Sequence, residues 1–276
     1  MRWKQILRPY TGIRVLGLMG FAGALLTMSM PGNADFKPYS DSRPPVASSD
    51  ITGGRAFNPP PDGGVPDAPT DTSGGRTCGI SQNDLQLTPL APQRHHIGQT
   101  YSPYPTFVWF IPIDTALEGE FQIYAKTETG YEAVLAEPHM FRSRQGFMAL
   151  TLPDTAAGLQ PHTEYVWQVL LRCGSRPGDI HKVRAEVAVV EVSEQPSPDT
   201  AETDLQQAEK LGQAGLWYDA LAAVSELPLS PDAIAFRRAL LLDLADLEAA
   251  AEEPLENPEN SAVPHSEVLR KIAELD

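Results

Sequence analysis

The chain has 276 residues, 42% of them hydrophobic, and carries 21 Lys+Arg against 36 Asp+Glu, a formal charge of −15. Such acidity repels phosphate backbones and anionic lipid headgroups, which argues against nucleic acid and peripheral membrane partners. Two cysteines, Cys78 and Cys173, are too few for a zinc set and too far apart for a redox Cys-x-x-Cys motif.

Residues 1–34 read as a secretory signal. Arg2, Lys4, Arg8 and Arg14 form a basic start, Val15 to Met30 is apolar, and Gly32-Asn33-Ala34 offers small residues before a cut at Asp35. The apolar run falls short of a bilayer span of roughly 20 residues; an uncleaved N-terminal anchor is the alternative. No cysteine follows the run and no Arg-Arg precedes it, so neither a lipoprotein anchor nor a twin-arginine route is expected. Loss of those four basic side chains leaves 17 Lys+Arg against 36 Asp+Glu, or −19. The localisation expected is periplasmic or extracellular.

Residues 35–77 are rich in Pro, Gly, Ser and Asp, with Asn58-Pro59-Pro60-Pro61-Asp62-Gly63-Gly64 at their centre. They read as a disordered leader or tether, with too few large apolar side chains for a core.

Residues 78–194 alternate like a sheet domain. Asp84 to Leu90 gives a short first strand, and Thr106 to Ile111, containing Trp109, is apolar on both faces and reads as a central strand. Glu120 to Lys126 turns Phe121, Ile123 and Ala125 inward, and Thr129-Gly130 leads into a brief partner at Glu132 to Ala136. Phe147 to Leu152, Tyr165 to Cys173 and Val183 to Val192 complete seven strands. The expected fold is a two-sheet antiparallel β-sandwich.

One string narrows the expectation. Leu159-Gln160-Pro161-His162-Thr163-Glu164-Tyr165 has the Leu-x-Pro-x-Thr-x-Tyr pattern and resembles the turn before strand F of fibronectin type III domains. The resemblance implies a tyrosine corner in which the Tyr165 hydroxyl bonds back to the turn, with Trp167 following on the core face. In such a topology Cys78, just before the first strand, and Cys173, at the end of strand F, come to one pole. Export and topology together predict a Cys78–Cys173 disulfide.

Beyond Gln195-Pro196-Ser197-Pro198 the chain turns helical. Ala201–Ala214, Leu216–Leu227 and a Ser230-Pro231-capped helix to about Leu247 form a region over 199–253, and 254–276 is an acidic tail with a final helix capped by Ser266. Gly215-Leu216-Trp217-Tyr218-Asp219-Ala220-Leu221 has the spacing of a tetratricopeptide hairpin, but a repeat array needs about three units. Either this hairpin packs on the sandwich, or it offers Trp217 and Tyr218 to a partner.

Catalytic signatures are scarce. His95-His96 are neighbours that point apart on an extended segment, a poor chelate, and read as a wet loop. The sequence has no nucleophile elbow, zinc-helix motif, phosphate loop or EF-hand string. Most carboxylates of 199–276 read as a solvated face. No catalytic residue, metal or cofactor is expected.

Five strings, taken in order, are similar to a family of secreted cyanobacterial proteins known as the domain of unknown function DUF928. They are Gly74-Gly75-Arg76-Thr77-Cys78, Leu87-Thr88-Pro89-Leu90-Ala91-Pro92, Tyr104-Pro105-Thr106-Phe107-Val108-Trp109-Phe110-Ile111-Pro112, Tyr165-Val166-Trp167 running to Cys173, and the Gly215–Leu221 stretch. The resemblance implies an exported sheet domain with a helical tail and carries no catalytic residue. The glycine-arginine run before Cys78 is shortened here, and Gly174 to Val183 lacks the family's glycine-aromatic strand entry. The function expected is a non-enzymatic module of the cell envelope that binds a protein partner through Trp217 and Tyr218 or through the strand-connecting loops. The alternatives are glycan binding by Tyr101, Tyr104 and Arg142, and a hydrolase with an unrecognised carboxylate pair.

Overall fold

The computed structural model describes residues 55–60, 81–82, 85–174, 179–191, 203–252 and 263–275. The expected signal, most of the expected linker and Cys78 lie outside the described residues.

In chain order the strands are β1 Ser81–Gln82, β2 Leu85–Gln86, β3 Thr88–Pro89, β4 Gly98–Thr100, β5 Thr106–Ile111, β6 Glu118–Thr127, β7 Gly130–Ala133, β8 His139–Arg142, β9 Gly146–Thr151, β10 Glu164–Arg172 and β11 Ile180–Val189. Strands β1 and β2 form a small ribbon. The larger sheet runs β4-β11-β10-β6-β7, with β8 on the other half of β6, and the smaller runs β3-β5-β9. The protein is thus mainly β, with helices at its C-terminal end. Among the described residues all pairings are antiparallel except β4 with β11, where Val187 faces Gly98 in a parallel register.

The period-two pattern explains the faces. Phe121 and Ile123 on β6, Tyr165, Trp167, Val169 and Leu171 on β10, and Val183, Ala185 and Val187 on β11 all point inward and are buried. From the smaller sheet β5 sends Phe107 and Trp109 against them. Phe107 lies 5.1 Å from Phe121 and 5.3 Å from Trp167, ring centre to ring centre. Trp109 is stacked 6.2 Å from Phe121. At the head of β10 the Tyr165 hydroxyl accepts the Gln160 backbone N–H at 2.8 Å, closing the corner its turn sequence predicts.

The sequence missed three strands, the two-residue β1 and the strands β4 and β8. β4 is only three residues, Gly-Gln-Thr, and β8 is His-Met-Phe-Arg; both are too short or too polar for an alternating pattern to register. Strand β8 approaches β6 closely: a Cβ on Gly119 would stand 2.3 Å from the tip of the Phe141 ring, so a larger residue there would force that ring to move.

The helices are α1 Asp204–Gln213, α2 Trp217–Glu226, α3 Pro231–Ala251 and α4 His265–Ala273. Thr203 and Gln206 make a reciprocal capping box for α1. Gly215, at φ +80°, ends the turn: its N–H bonds Gly212 O while Leu216 N–H bonds Leu211 O, the paired bonds of a Schellman stop. Ser230 Oγ accepts the Ala233 N–H to start α3, as expected. Ser266 does not cap α4. Pro264 holds that position, and Ser266 gives both its N–H and its hydroxyl to Glu252, at 3.0 and 2.8 Å.

Two expectations need correcting. Trp217 and Tyr218 are buried, 0% and 1% exposed, so the hairpin's aromatic face is used inside the protein. Tyr218 of α2 enters the core beside Phe107 and Trp167, and Trp217 Nε1 donates to the Leu90 carbonyl at 2.9 Å. Secondly, residues 55–60 of the expected disordered linker are ordered. Phe57 is 0% exposed, 5.0 Å edge-on from Trp217 and stacked 5.5 Å from His96. A single aromatic among prolines and glycines has no periodicity, so composition alone misreads it.

Candidate functional site

The outer face of the larger sheet is mostly polar and half-buried, with Val166 and Glu186 buried within it. Its residues alternate with the core set: Glu118, Glu120, Gln122, Tyr124 and Lys126 on β6 stand beside Arg172, Leu170, Gln168, Val166 and Glu164 on β10. Beyond β10 come Lys182, Arg184 and Glu186 of β11. At the opposite edge Tyr131 lies across from Lys126, and Met140 across from Glu120. Tyr131 is 62% and Met140 56% exposed, although each sits on a strand.

The charges on this face are organised. Lys126 Nζ lies 3.0 Å from Glu164 and 2.6 Å from Glu186. Arg172 Nε donates to Glu120 at 3.0 Å, and the Tyr124 hydroxyl and the Gln168 side-chain amide both donate to the Gln122 side-chain oxygen Oε1. Pro92, Gln93, Tyr131, Val166, Arg184 and Glu186 line a shallow depression of about 10 Å³, room for little more than one water molecule. Glu186 joins this face to the interior: its carboxylate holds Lys126, and its main-chain carbonyl accepts the Tyr218 hydroxyl at 2.8 Å. Chemically, such a surface offers an aromatic ring, neutral amides and paired charges in fixed positions. That suits surface recognition rather than proton transfer.

The loop residues do not form one site. Leu159 N–H bonds the Pro103 carbonyl, placing the Tyr101–Pro105 loop near the start of β10. Arg142 faces Glu118, which faces Arg172 at the other end of β10. At about 3.3 Å per residue, those ends stand roughly 26 Å apart. Tyr101 and Tyr104 are half-buried, and Arg142 is exposed. Tyr104 packs on Gly158, where an added Cβ would come within 3.2 Å of the ring. Burial and the nearby Asp219 raise the Tyr101 hydroxyl above its ordinary pKa.

Two carboxylates of the helical region are not part of a solvated face. Glu248 of α3 is 0% exposed and accepts the backbone N–H groups of Gln93 at 2.9 Å, Arg94 at 3.0 Å and His95 at 3.4 Å. Burial raises its pKa, and those three bonds pull it back down. Asp219 of α2 accepts the Thr100 hydroxyl at 2.9 Å and the Tyr101 N–H at 3.1 Å, and burial pushes its pKa up to about 7. Each replaces a missing loop ladder with carboxylate oxygens. Neither has a sequence signature apart from its position on a helix face.

The His95-His96 pair is likewise no wet loop. His96 is 1% exposed, and burial pushes its pKa down to about 3. Its Nδ1 lies 3.1 Å from that of His95. Among the described residues no group of three or more His, Cys, Asp or Glu side chains is arranged to hold a metal ion. No helix among them is long and apolar enough to cross a membrane.

No curated protein and no solved structure matches the chain. A family model described as Domain of Unknown Function (DUF928) matches residues 71–255, well over half of the sequence. The match takes in both main sheets, the hairpin and α3, and covers the five strings from Gly74 to Leu221. The chain belongs to the DUF928 family.

Proposed function

We propose that the protein is an exported, non-enzymatic binding module whose recognition surface is the outer face of the larger sheet. The observation that carries this reading is the solvent exposure of Tyr131 and Met140 on paired strands, within a face whose charges are already held in place. The earlier alternative, recognition by Trp217 and Tyr218, lacks an accessible surface, because both side chains are buried. A protein partner is the class favoured, since the exposed residues spread across β6, β7 and β8 rather than converging on a cleft.

A fibronectin type III-like scaffold is part of the same proposal. The order β3-β5-β9 opposite β11-β10-β6-β7 corresponds to strands A-B-E opposite G-F-C-C′ in sandwiches of that kind, and the Tyr165 corner supports it. The disulfide belongs here as well. Cys173 follows the last residue of β10, while Cys78 lies outside the described residues. Export and pairing predict that the mature chain starts at Asp35, and that its intact mass rises by about 2 Da on reduction. An unchanged mass removes the disulfide.

The test of the surface uses Tyr131→Glu and Met140→Glu, with Leu229→Glu as a control at another exposed position (78% exposed). Both face variants are expected to fold normally and to lose the partners cross-linked to the wild type in its native envelope, whereas the control keeps them. Face variants that retain the same partners rule the surface out. A glycan is the second reading, favoured by the exposed Tyr131 ring beside the polar side chains of Gln93, Arg184 and Glu186. In that case binding on a glycan array disappears in Tyr131→Ala.

A further inference from the structure

Residues Arg55–Pro60 lie in a groove on the helical region, and the contacts there resemble those of a bound peptide more than those of a chain end. The Phe57 N–H donates to the Asp243 carboxylate of α3 at 2.9 Å. The Asn58 N–H donates to Gly212 O at 3.1 Å, and its side-chain amide to Gln213 O at 3.3 Å. Those carbonyls belong to the last turn of α1, and Gly212 O, which already takes the Gly215 N–H, accepts Asn58 with its second lone pair. The Phe57 ring fills a socket between Trp217 and His96.

The groove is cut to main-chain dimensions. A Cβ on Gly212 would stand 2.5 Å from the Ala56 carbonyl oxygen, and one on Gly215 would stand 3.0 Å from the Asn58 carbonyl oxygen. Backbone pairing, one aromatic anchor and close glycines are the elements by which folded domains read extended segments. The groove walls, from His96 to Asp243, fall within the family-matched span 71–255, whereas their occupant lies ahead of it. Between Pro60 and Ser81 run 20 residues, enough to span at most about 70 Å when extended. Chain connectivity therefore does not compel the segment to sit in its own molecule.

We propose that this groove is a docking site for an extended segment with one buried aromatic, that Ala56–Asn58 fills it reversibly in cis, and that its partner in trans is the same segment of a second copy of this chain. Exchange of the segment joins two molecules through contacts that each already makes internally, the low-cost route by which swapped dimers arise. The proposal does not depend on the sheet-face reading, because it uses none of those residues.

The test pairs two full-length variants with complementary defects. Phe57→Ala keeps the groove and loses the anchor; Gly212→Ala keeps the segment and blocks the groove, while alanine suits a helix better than glycine. Each alone is expected to be monomeric by sedimentation velocity, and an equimolar mixture is expected to give a one-to-one heterodimer. A peptide of residues 53–60 should bind Phe57→Ala at least about tenfold more tightly than wild type, whose own segment competes, and should dissociate the heterodimer. The same peptide with alanine at position 57 should do neither. Peptide binding without a heterodimer overturns the second-copy partner, and no peptide binding to a folded Phe57→Ala overturns the docking site. If Phe57→Ala does not fold, Gly212→Ala is mixed with wild type instead, and absence of exchange there overturns the proposal.

Discussion

The hydroxyl of Tyr218, carried by α2, accepts the indole N–H of Trp167 at 2.8 Å and donates to the Glu186 main-chain carbonyl at the same distance. Trp167 lies on β10 and Glu186 on β11, so one helical side chain ties together two neighbouring strands from within the core. Burial raises the pKa of that hydroxyl well above the ordinary tyrosine value, so it keeps its proton and its donor role.

Tyr218→Phe removes one atom and strands a buried indole N–H. A buried polar group left without its partner costs about 1–3 kcal/mol, so a loss of roughly 2–3 kcal/mol is expected. Tyr218→Ala adds a cavity and should cost about 3–5 kcal/mol or more. Urea unfolding followed by tryptophan fluorescence measures both. A Tyr218→Phe loss below half a kilocalorie would show that the hydroxyl bridge is unimportant.

Deleting residues 203–276 should prevent the sheet domain from folding, rather than leaving it intact without its tail. The deletion takes away Trp217, Tyr218, Asp219 and Glu248, which complete the core and hold the 92–101 loops. Near-ultraviolet circular dichroism and chemical-shift dispersion report the outcome. A dispersed, cooperative spectrum from the truncated chain contradicts the account.

Asp219 makes stability depend on pH with a defined sign. Its folded pKa, about 7, stands above the unfolded value of 3.8, so between these limits the folded state binds more protons. Stability from this group is therefore fully present below about pH 4 and falls as pH rises to about 7. The slope should be less than the full 1.4 kcal/mol per pH unit, because the residue is only partly buried. Asp219→Asn keeps an acceptor for the Tyr101 N–H and a donor for Thr100, and should flatten that segment of the curve. Parallel slopes for wild type and variant between pH 4 and 7 would mean that Asp219 titrates normally.

Tyr165→Phe opens the corner at the head of β10. The Gln160 N–H that loses its partner belongs to an exposed residue and is recaptured by water, so the cost should be only about 0.5–1.5 kcal/mol. Thermal denaturation is the measure, and a drop of more than about 3 kcal/mol would show that the hydroxyl carries more than this bond.

Much of the scaffold was legible in the linear chain because it depends on local geometry. Alternation at period two located β6, β9, β10 and β11 to within a few residues, a short run apolar on both faces located β5, and Ser230-Pro231 and Gly215 set helix limits through backbone dihedrals and capping bonds. The Leu159–Tyr165 string specified its corner for the same reason.

Contacts between distant segments required the tertiary structure. Trp217 and Tyr218 read equally well as an offered surface or as core, and packing of α2 against β4 and β5 decided for core. Glu248 and Asp219 looked like members of a solvated acidic run until loops more than a hundred residues away brought them backbone N–H groups. Phe57 looked isolated until α1, α3 and His96 closed around it. Tyr101 and Arg142 lie 41 positions apart in the sequence and at opposite ends of β10 in the fold. Periodicity states which face a side chain takes along its own element; what that face meets is set by burial across the whole molecule, which has no local code.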